Sequence, residues 1–280
     1  MIRLAVIGDP IEHSLSPAVH GAALDRLGVE HEYKKVHVRP EELGEFVKTA
    51  QRERLDGFNL TMPHKVNILP YLSKIDDEAQ YYSAVNTVCI RNGELRGFNT
   101  DGIGYELALG RMGKKFSGSR LVVLGAGGAA AAVIAAAIRG GAESISIACR
   151  TAAHAEKICD RDLGHTKIKI CGFSDTEIAA ECECAEVLIN ATPLGMEGVS
   201  HNFDGFDFLD ALPSDALVSD LIYKPKKTAL LTEAENRGLM IQNGLDMLIF
   251  QAIAADERYL DRQLDMQDLY NTVIDAVEDR

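Results

Sequence analysis

The stretch Leu121-Val-Val-Leu-Gly-Ala-Gly-Gly-Ala-Ala130 runs apolar residues straight into glycines and then into an alanine-rich segment. A buried strand that must turn at once into a helix admits few folds, and this pattern is the opening of a dinucleotide-binding unit. Gly125 permits the tight turn, Gly127 lets a pyrophosphate approach the backbone, and the small Ala130 keeps helix and strand close. Ala126, Gly128 and Ala129 complete the loop, and the first N–H groups of the helix face the anion with a favourable dipole. The next strand, Ser144–Cys149, ends at Arg150-Thr151, 25 residues beyond Gly125. An acid there would accept from a ribose 2′-hydroxyl, whereas an arginine suits a 2′-phosphate. NADP is therefore expected over NAD. A second cation nearby is weak, since His154 carries little charge at neutral pH and Lys157 lies a turn further on.

At 280 residues, the chain is long enough for two domains with separate cores. Its net charge of −13 argues against nucleic acid or an anionic membrane as principal partner, so any anionic ligand must be held by local cations. No uninterrupted apolar run could span a bilayer, and the N-terminus reads as a strand rather than a signal peptide. The six cysteines show no paired metal spacing; Cys182-Glu-Cys184 is too tight for half of a zinc site. Reduced thiols in the cytoplasm and no metal are the expectation.

The fold class expected is α/β. Strands at Leu4–Ile7, His31–Val38 and Gly57–Thr61 alternate with helices from Ser16 to about Leu27 and from Pro40 to about Gln51. Ser16-Pro17 reads as an N-cap followed by proline at the first helical position. Ala84–Ile90 and Glu94–Phe98, joined at Arg91-Asn-Gly93, read as a hairpin. Ile103–Met112 is expected as a bridging helix. The dinucleotide-binding half continues with strands at Lys167–Cys171, Val187–Asn190 and Ala216–Ile222. Helices are expected near Ala129–Arg139, Ala152–Asp162, Thr228–Arg237 and Met247–Leu260. Residues 1–102, completed by C-terminal helices over 245–280, form one expected domain, with a mostly parallel sheet. Residues 103–244 form a Rossmann-type domain.

Five segments are denser in polar groups than a scaffold needs: Ser14-Leu-Ser16-Pro17, Asn59-Leu-Thr61-Met-Pro-His-Lys65, Ala84-Val-Asn86-Thr87, Gly97-Phe-Asn99-Thr100-Asp101-Gly102 and Gly244–Gln251. The first, second and fourth follow expected strands, so they fall on the carboxyl edge of a sheet, where α/β folds bind ligands. In this order around the Gly125 loop, these segments resemble the shikimate dehydrogenase family over essentially the whole chain. The resemblance implies reversible, NADP-dependent reduction of 3-dehydroshikimate to shikimate, a step of aromatic amino-acid synthesis, in a cleft between two domains. It makes Lys65 and Asp101 the catalytic pair and Ser14 and Ser16 the carboxylate-binding hydroxyls. Asn59, Thr61, Asn86 and Gln251 become substrate contacts, and Tyr223 approaches both substrate and cofactor. Thr192-Pro193, Leu221, Gly244 and Met247 fall on the nicotinamide side, beside the Gly125 loop, Arg150 and Thr151.

The reaction needs one group that donates a proton in reduction and accepts it in oxidation. Lys65 can be that group, or a polarising cation with Asp101 and water relaying the proton; sequence leaves both open. Cys149 stands where the family commonly has asparagine, and Asp246 where glycine is frequent. Two rivals stand beside this reading: an NAD-preferring quinate/shikimate dehydrogenase, and a non-catalytic shikimate-binding regulator. A monomer or a homodimer fits equally.

Overall fold

The computed structural model describes residues 1–159 and 166–277. The chain divides into two compact units, Met1–Gly104 with the segment from Ile249 onward, and Tyr105–Leu248.

The first unit opens with β1 (Ile2–Gly8), α1 (Ser16–Arg26), β2 (His31–His37), α2 (Leu43–Arg52), β3 (Gly57–Leu60) and the short α3 (His64–Asn67). It continues with β4 (Lys74–Ile75), α4 (Asp77–Tyr82), β5 (Thr87–Arg91) and β6 (Glu94–Phe98). Helix α5 (Asp101–Arg111) begins in this unit and continues into the other. The strand order is β2-β1-β3-β5-β6-β4, with β1, β2 and β3 parallel and only β5 reversed, antiparallel to both β3 and β6. The reversal comes from the expected hairpin: Asn92 and Gly93 both take positive φ (51° and 81°), as a tight turn with the twist of the strands requires. Ala5, Ile7, Phe58, Leu60, Val85, Val88 and Leu95 bury one face against Leu43, Val47 and Ala50 of α2.

The second unit carries β7 (Arg120–Leu124), α6 (Gly128–Arg139), β8 (Ser144–Ala148), α7 (Ala152–Cys159), β9 (Lys167–Cys171) and α8 (Asp175–Cys182). Then follow β10 (Val187–Asn190), β11 (Leu217–Asp220), α9 (Ala229–Asn236) and β12 (Met240–Gln242), and α10 (Leu245–Leu260) starts here. The last helix, α11 (Met266–Val277), belongs to the first unit. All six strands are parallel in the order β12-β11-β10-β7-β8-β9. This is the doubly wound arrangement whose strand order reverses between β7 and β10. Being covered on both faces, the central strands are mostly apolar: Val122 and Leu124 join one core, Leu121 and Val123 the other.

The structure departs from the sequence expectation in several places. Ser16 is not the N-cap of α1 but lies inside the helix. Leu15 already has helical dihedrals (φ −86°, ψ −3°) and makes no side-chain cap, so the Ser16 hydroxyl is not spent on the helix end. The short elements β4, α4, α8 and β12 escaped the sequence reading. β12 has only three residues, and α8 (Asp-Thr-Glu-Ile-Ala-Ala-Glu-Cys) buries only Ile178 and Cys182. The expected strand Ala216–Ile222 pairs only over Leu217–Asp220. The expected end of the helix beginning at Ala152 lies outside the described residues, as does the side chain of Lys157.

Candidate active site

In the first unit, the loops after β3, β6 and β1 bring polar groups to one edge of the sheet. Lys65, in the first turn of α3, extends its ammonium to Asp101, with Nζ 2.6 Å from Oδ2. The lysine side chain keeps 24% of its surface accessible and the aspartate only 7%, so the pair is half open on the lysine side. Asp101 is the first residue of α5, where the helix dipole favours a carboxylate. Its other oxygen accepts from Asn86 Nδ2 (2.9 Å), and its backbone N–H donates to Asn99 Oδ1 (3.0 Å). Asn86 Nδ2 also reaches Thr100 Oγ1 (2.9 Å) and Gln251 Oε1 (3.2 Å), while Asn86 Oδ1 accepts from Thr87 Oγ1 and the Thr100 N–H. The amide is thus locked in one orientation, and it fixes the carboxylate that holds the lysine.

Asn59 lies beneath. Its Oδ1 accepts from the hydroxyls of Tyr33 (2.7 Å) and Tyr259 (2.9 Å), and its Nδ2 donates to Asn86 O and Thr87 Oγ1. The amide is occupied internally and supports the floor. Burial drives both phenols well above their usual pKa, so they act as neutral hydrogen-bonding groups. Ser14 Oγ and Ser16 Oγ lie 3.1 Å apart, two hydroxyls presented together at the start of α1. Thr61 follows β3, and its Cγ2 occupies the space that any side chain at Gly8 would need. Tyr33 and Tyr259 carry no signal in the sequence, looking like ordinary strand and helix residues until the fold joins them, whereas Thr87 and Thr100 lie in the polar segments the sequence marks but gain their roles only from these contacts.

Of the expected substrate contacts, Tyr223 belongs to the second unit and the others to the first; it follows β11, is half-buried, and burial raises its pKa. Here the sheet reverses at β7 and β10, and Gly125 closes the turn with φ +106°. A Cβ on Gly125 would lie 2.9 Å from Thr192 Cγ2 and 3.2 Å from Ala191 O, so glycine is required both by dihedral and by space. Helix α6 starts at Gly128 with no side-chain cap, and Gly127, Gly128 and Ala129 are exposed. Cβ atoms at Gly127 or Gly128 would meet nothing within 4 Å. Uncapped N–H groups over open space are what a pyrophosphate needs, so the loop fits a dinucleotide.

The loop after β10 is braced from below. Asn190 Oδ1 accepts from the Thr192 N–H (3.0 Å) and hydroxyl (2.7 Å), placing Pro193 next in line, and Asn190 Nδ2 donates to Asp220 Oδ1 (3.0 Å). Asp220 is fully buried; burial pushes its pKa up to about 6, against hydrogen bonds from the Ile222 N–H, Thr228 Oγ1 and Asn190. Arg150 and Thr151 are exposed just after β8, and Arg150 borders an open recess of about 580 Å³ in which Lys169 is already paired with Glu181 (2.5 Å). Gly244 packs on the backbone of Leu221 and Ile222, while Leu221 and Met247 pack partly buried against the unit's core. No cluster of potential metal ligands occurs among the described residues.

A doubly wound sheet with a glycine loop and an exposed arginine, together with a lysine–carboxylate pair amid hydroxyls and amides, defines an NADP-dependent oxidoreductase. Residues 6–88 match the shikimate dehydrogenase substrate binding domain, and residues 106–195 match shikimate/quinate 5-dehydrogenase. The shikimate dehydrogenase (NADP(+)) of Staphylococcus epidermidis is 35% identical over 277 residues, covering 99% of this chain and 98% of that one. The chain belongs to the shikimate dehydrogenase family. Shikimate 5-dehydrogenase from Thermus thermophilus, solved in complex with NADP(H) and shikimate, superposes with a TM-score of 0.85 at 34% identity, covering 99% of this chain and all of that one. Ligand-free 5-ketofructose reductase of Gluconobacter sp. strain CHM43 gives a TM-score of 0.83 at 30% identity, with 98% of each chain covered. Fold likeness alone therefore does not choose the carbonyl substrate; the residues around Lys65 must.

Proposed function

We propose that this chain reversibly reduces 3-dehydroshikimate to shikimate with NADPH, and that Lys65 and Asp101 manage the proton at the reacting ring oxygen. The observation that carries the residue assignment is the 2.6 Å Lys65–Asp101 pair, backed by Asn86 and half open to a ligand. NADPH, when bound, supplies the hydride. Lys65 Nζ donates a proton to the carbonyl oxygen in reduction and accepts it from the hydroxyl in oxidation. Asp101 aims the ammonium and, with Asn86 and Gln251, takes hydrogen bonds from or gives them to the ring hydroxyls.

Ser14 and Ser16 donate to the ring carboxylate, and Thr61 bounds the ring; Asn59 acts from beneath. Charge-assisted bonds from two hydroxyls hold a carboxylate without a buried cation. In the second unit, the N–H groups from Ala126 to Ala129 take the pyrophosphate, and Arg150 with Thr151 takes the 2′-phosphate. Thr192, Pro193, Leu221, Tyr223, Gly244 and Met247 bound the nicotinamide end. We place the protein in the cytoplasm, as a monomer or homodimer with small-molecule partners only; no described helix is long and apolar enough to cross a membrane.

The deciding assay follows nicotinamide absorbance with shikimate and quinate, each against NADP and NAD. Shikimate with NADP should give the highest kcat/KM. Faster turnover with NAD would overturn the role of Arg150, and faster turnover of quinate would overturn the substrate.

A further inference from the structure

The first unit buries an ionisable pair that the chemistry above does not use. His20 Nδ1 and Asp256 Oδ1 lie 2.6 Å apart, both side chains wholly inaccessible, from positions 236 residues apart. A buried pair of this kind is weak evidence for stability, because desolvation offsets much of the attraction. Its placement is more informative. His20 follows Ser16 by one turn of α1, so the two share a helix face. Asp256 lies on α10, five residues after Gln251. The contact therefore ties the helix bearing a carboxylate-binding hydroxyl to the helix bearing a ring-binding amide. Neither His20 Nε2 nor Asp256 Oδ2 finds a hydrogen-bond partner among the described residues, so the pair makes one hydrogen bond, beside the tilted contact of the His20 and Tyr259 rings (6.3 Å) and the packing of Leu24 with Ala255 and Tyr259.

A second connection runs through Tyr33. The His20 ring stacks on the Tyr33 ring at 4.6 Å between centroids and 17° between planes. The Tyr33 hydroxyl donates to Asn59 Oδ1 and interacts with the Ser16 side chain. Asn59 in turn holds Asn86 O and Thr87 Oγ1, under the amide that orients Asp101. One imidazole thus fixes a phenol that lies between the Ser16 hydroxyl and the floor of the site.

We propose that His20 and Asp256 are positioning residues: the pair sets the placement of Ser16 through α1 and through Tyr33, and so governs how tightly the substrate carboxylate is held. The inference rests on the reading of Ser16 as a carboxylate ligand. It predicts an effect on substrate affinity rather than on the chemical step or the cofactor.

The test compares steady-state constants and melting temperature for four variants. Asp256→Ala should raise the KM for shikimate about tenfold, the scale of one misdirected hydrogen bond to a charged group, with kcat and the KM for NADP unchanged. Asp256→Asn, which keeps an acceptor for His20 Nδ1, should recover most of that loss. The apolar pair His20→Phe with Asp256→Leu should restore the melting temperature but leave the shikimate KM high; it carries the test alone if Asp256→Ala does not fold. An unchanged shikimate KM in Asp256→Ala, or full recovery of that KM in the apolar pair, overturns the inference and leaves the pair merely structural. Ser16→Ala separates the two readings. If it raises the shikimate KM while Asp256→Ala does not, only the positioning role fails; if it has no effect, the carboxylate reading fails and takes the inference with it.

Discussion

At the scale of single residues, Lys65 and Asp220 show how burial divides the labour of charged groups. Lys65 sits at the accessible end of its pair, where a proton can be exchanged, while Asp101 is enclosed and held by Asn86. Lys65→Ala should lower kcat about 100- to 10,000-fold, the usual range for a positioned acid–base group, while NADP titration shows unchanged affinity; near-normal turnover would remove the lysine from the chemistry. Asp220 is the opposite case, a carboxylate buried under the loop after β10, where burial raises its pKa to about 6 from 3.8. A raised pKa means that protonation favours the native state. Its contribution to stability is complete below about pH 3.8 and disappears as pH rises through about 6. The full span corresponds to about 3 kcal/mol as an upper bound. Asp220→Asn removes the titration and can keep its carbonyl toward Asn190 and Ile222. Urea unfolding should therefore show the variant gaining on the parent between pH 4 and pH 7, and a difference that does not move with pH would refute the assignment.

At the scale of elements, helix starts and strand ends do the positioning. Asp101 opens α5, Lys65 lies in α3, and Ser16 lies in α1 with a hydroxyl released from capping. In the second unit the turn from β7 into α6 depends on one glycine whose dihedral and clearance exclude a side chain. Gly125→Ala should cost about 1–3 kcal/mol from the strained dihedral and raise the KM for NADP, because relieving the contact with Thr192 moves the loop. The KM for shikimate should stay put. A variant of parental stability and cofactor affinity would show that the turn tolerates a Cβ. The hairpin of β5 and β6 works similarly for the first unit: it reverses one strand and delivers Asn99, Thr100 and Asp101 to the same edge as Asn59.

At the scale of the whole molecule, a chain of net charge −13 has to bind anions against its own field, so local donors decide the outcome. The 2′-phosphate is the only feature that separates NADP from NAD, and Arg150 is the cation proposed for it. A ligand that binds only the native state stabilises it by about 2.7 kcal/mol at a hundredfold excess over Kd. Thermal denaturation should accordingly rise more with NADP than with an equal concentration of NAD, and Arg150→Ala should erase that difference. If the variant still distinguishes the two cofactors, the 2′-phosphate is held elsewhere.

The amino-acid order alone determined the local elements and the sites they expose. Apolar strands, the glycine turn, the Asn92-Gly93 hairpin and the polar segments at strand ends are encoded by neighbours in the chain, through dihedral preference and hydrophobic period. Short or largely polar pieces such as β12 and α8 were illegible, because their few buried residues set no period. Only tertiary packing decided which distant groups meet. It brought Tyr259 onto Asn59 across 200 residues and Asp256 onto His20 across 236, and it freed Ser16 from capping. Such contacts follow from how helices settle on the sheet and from the cost of leaving a buried polar side chain without any partner, which no local pattern records.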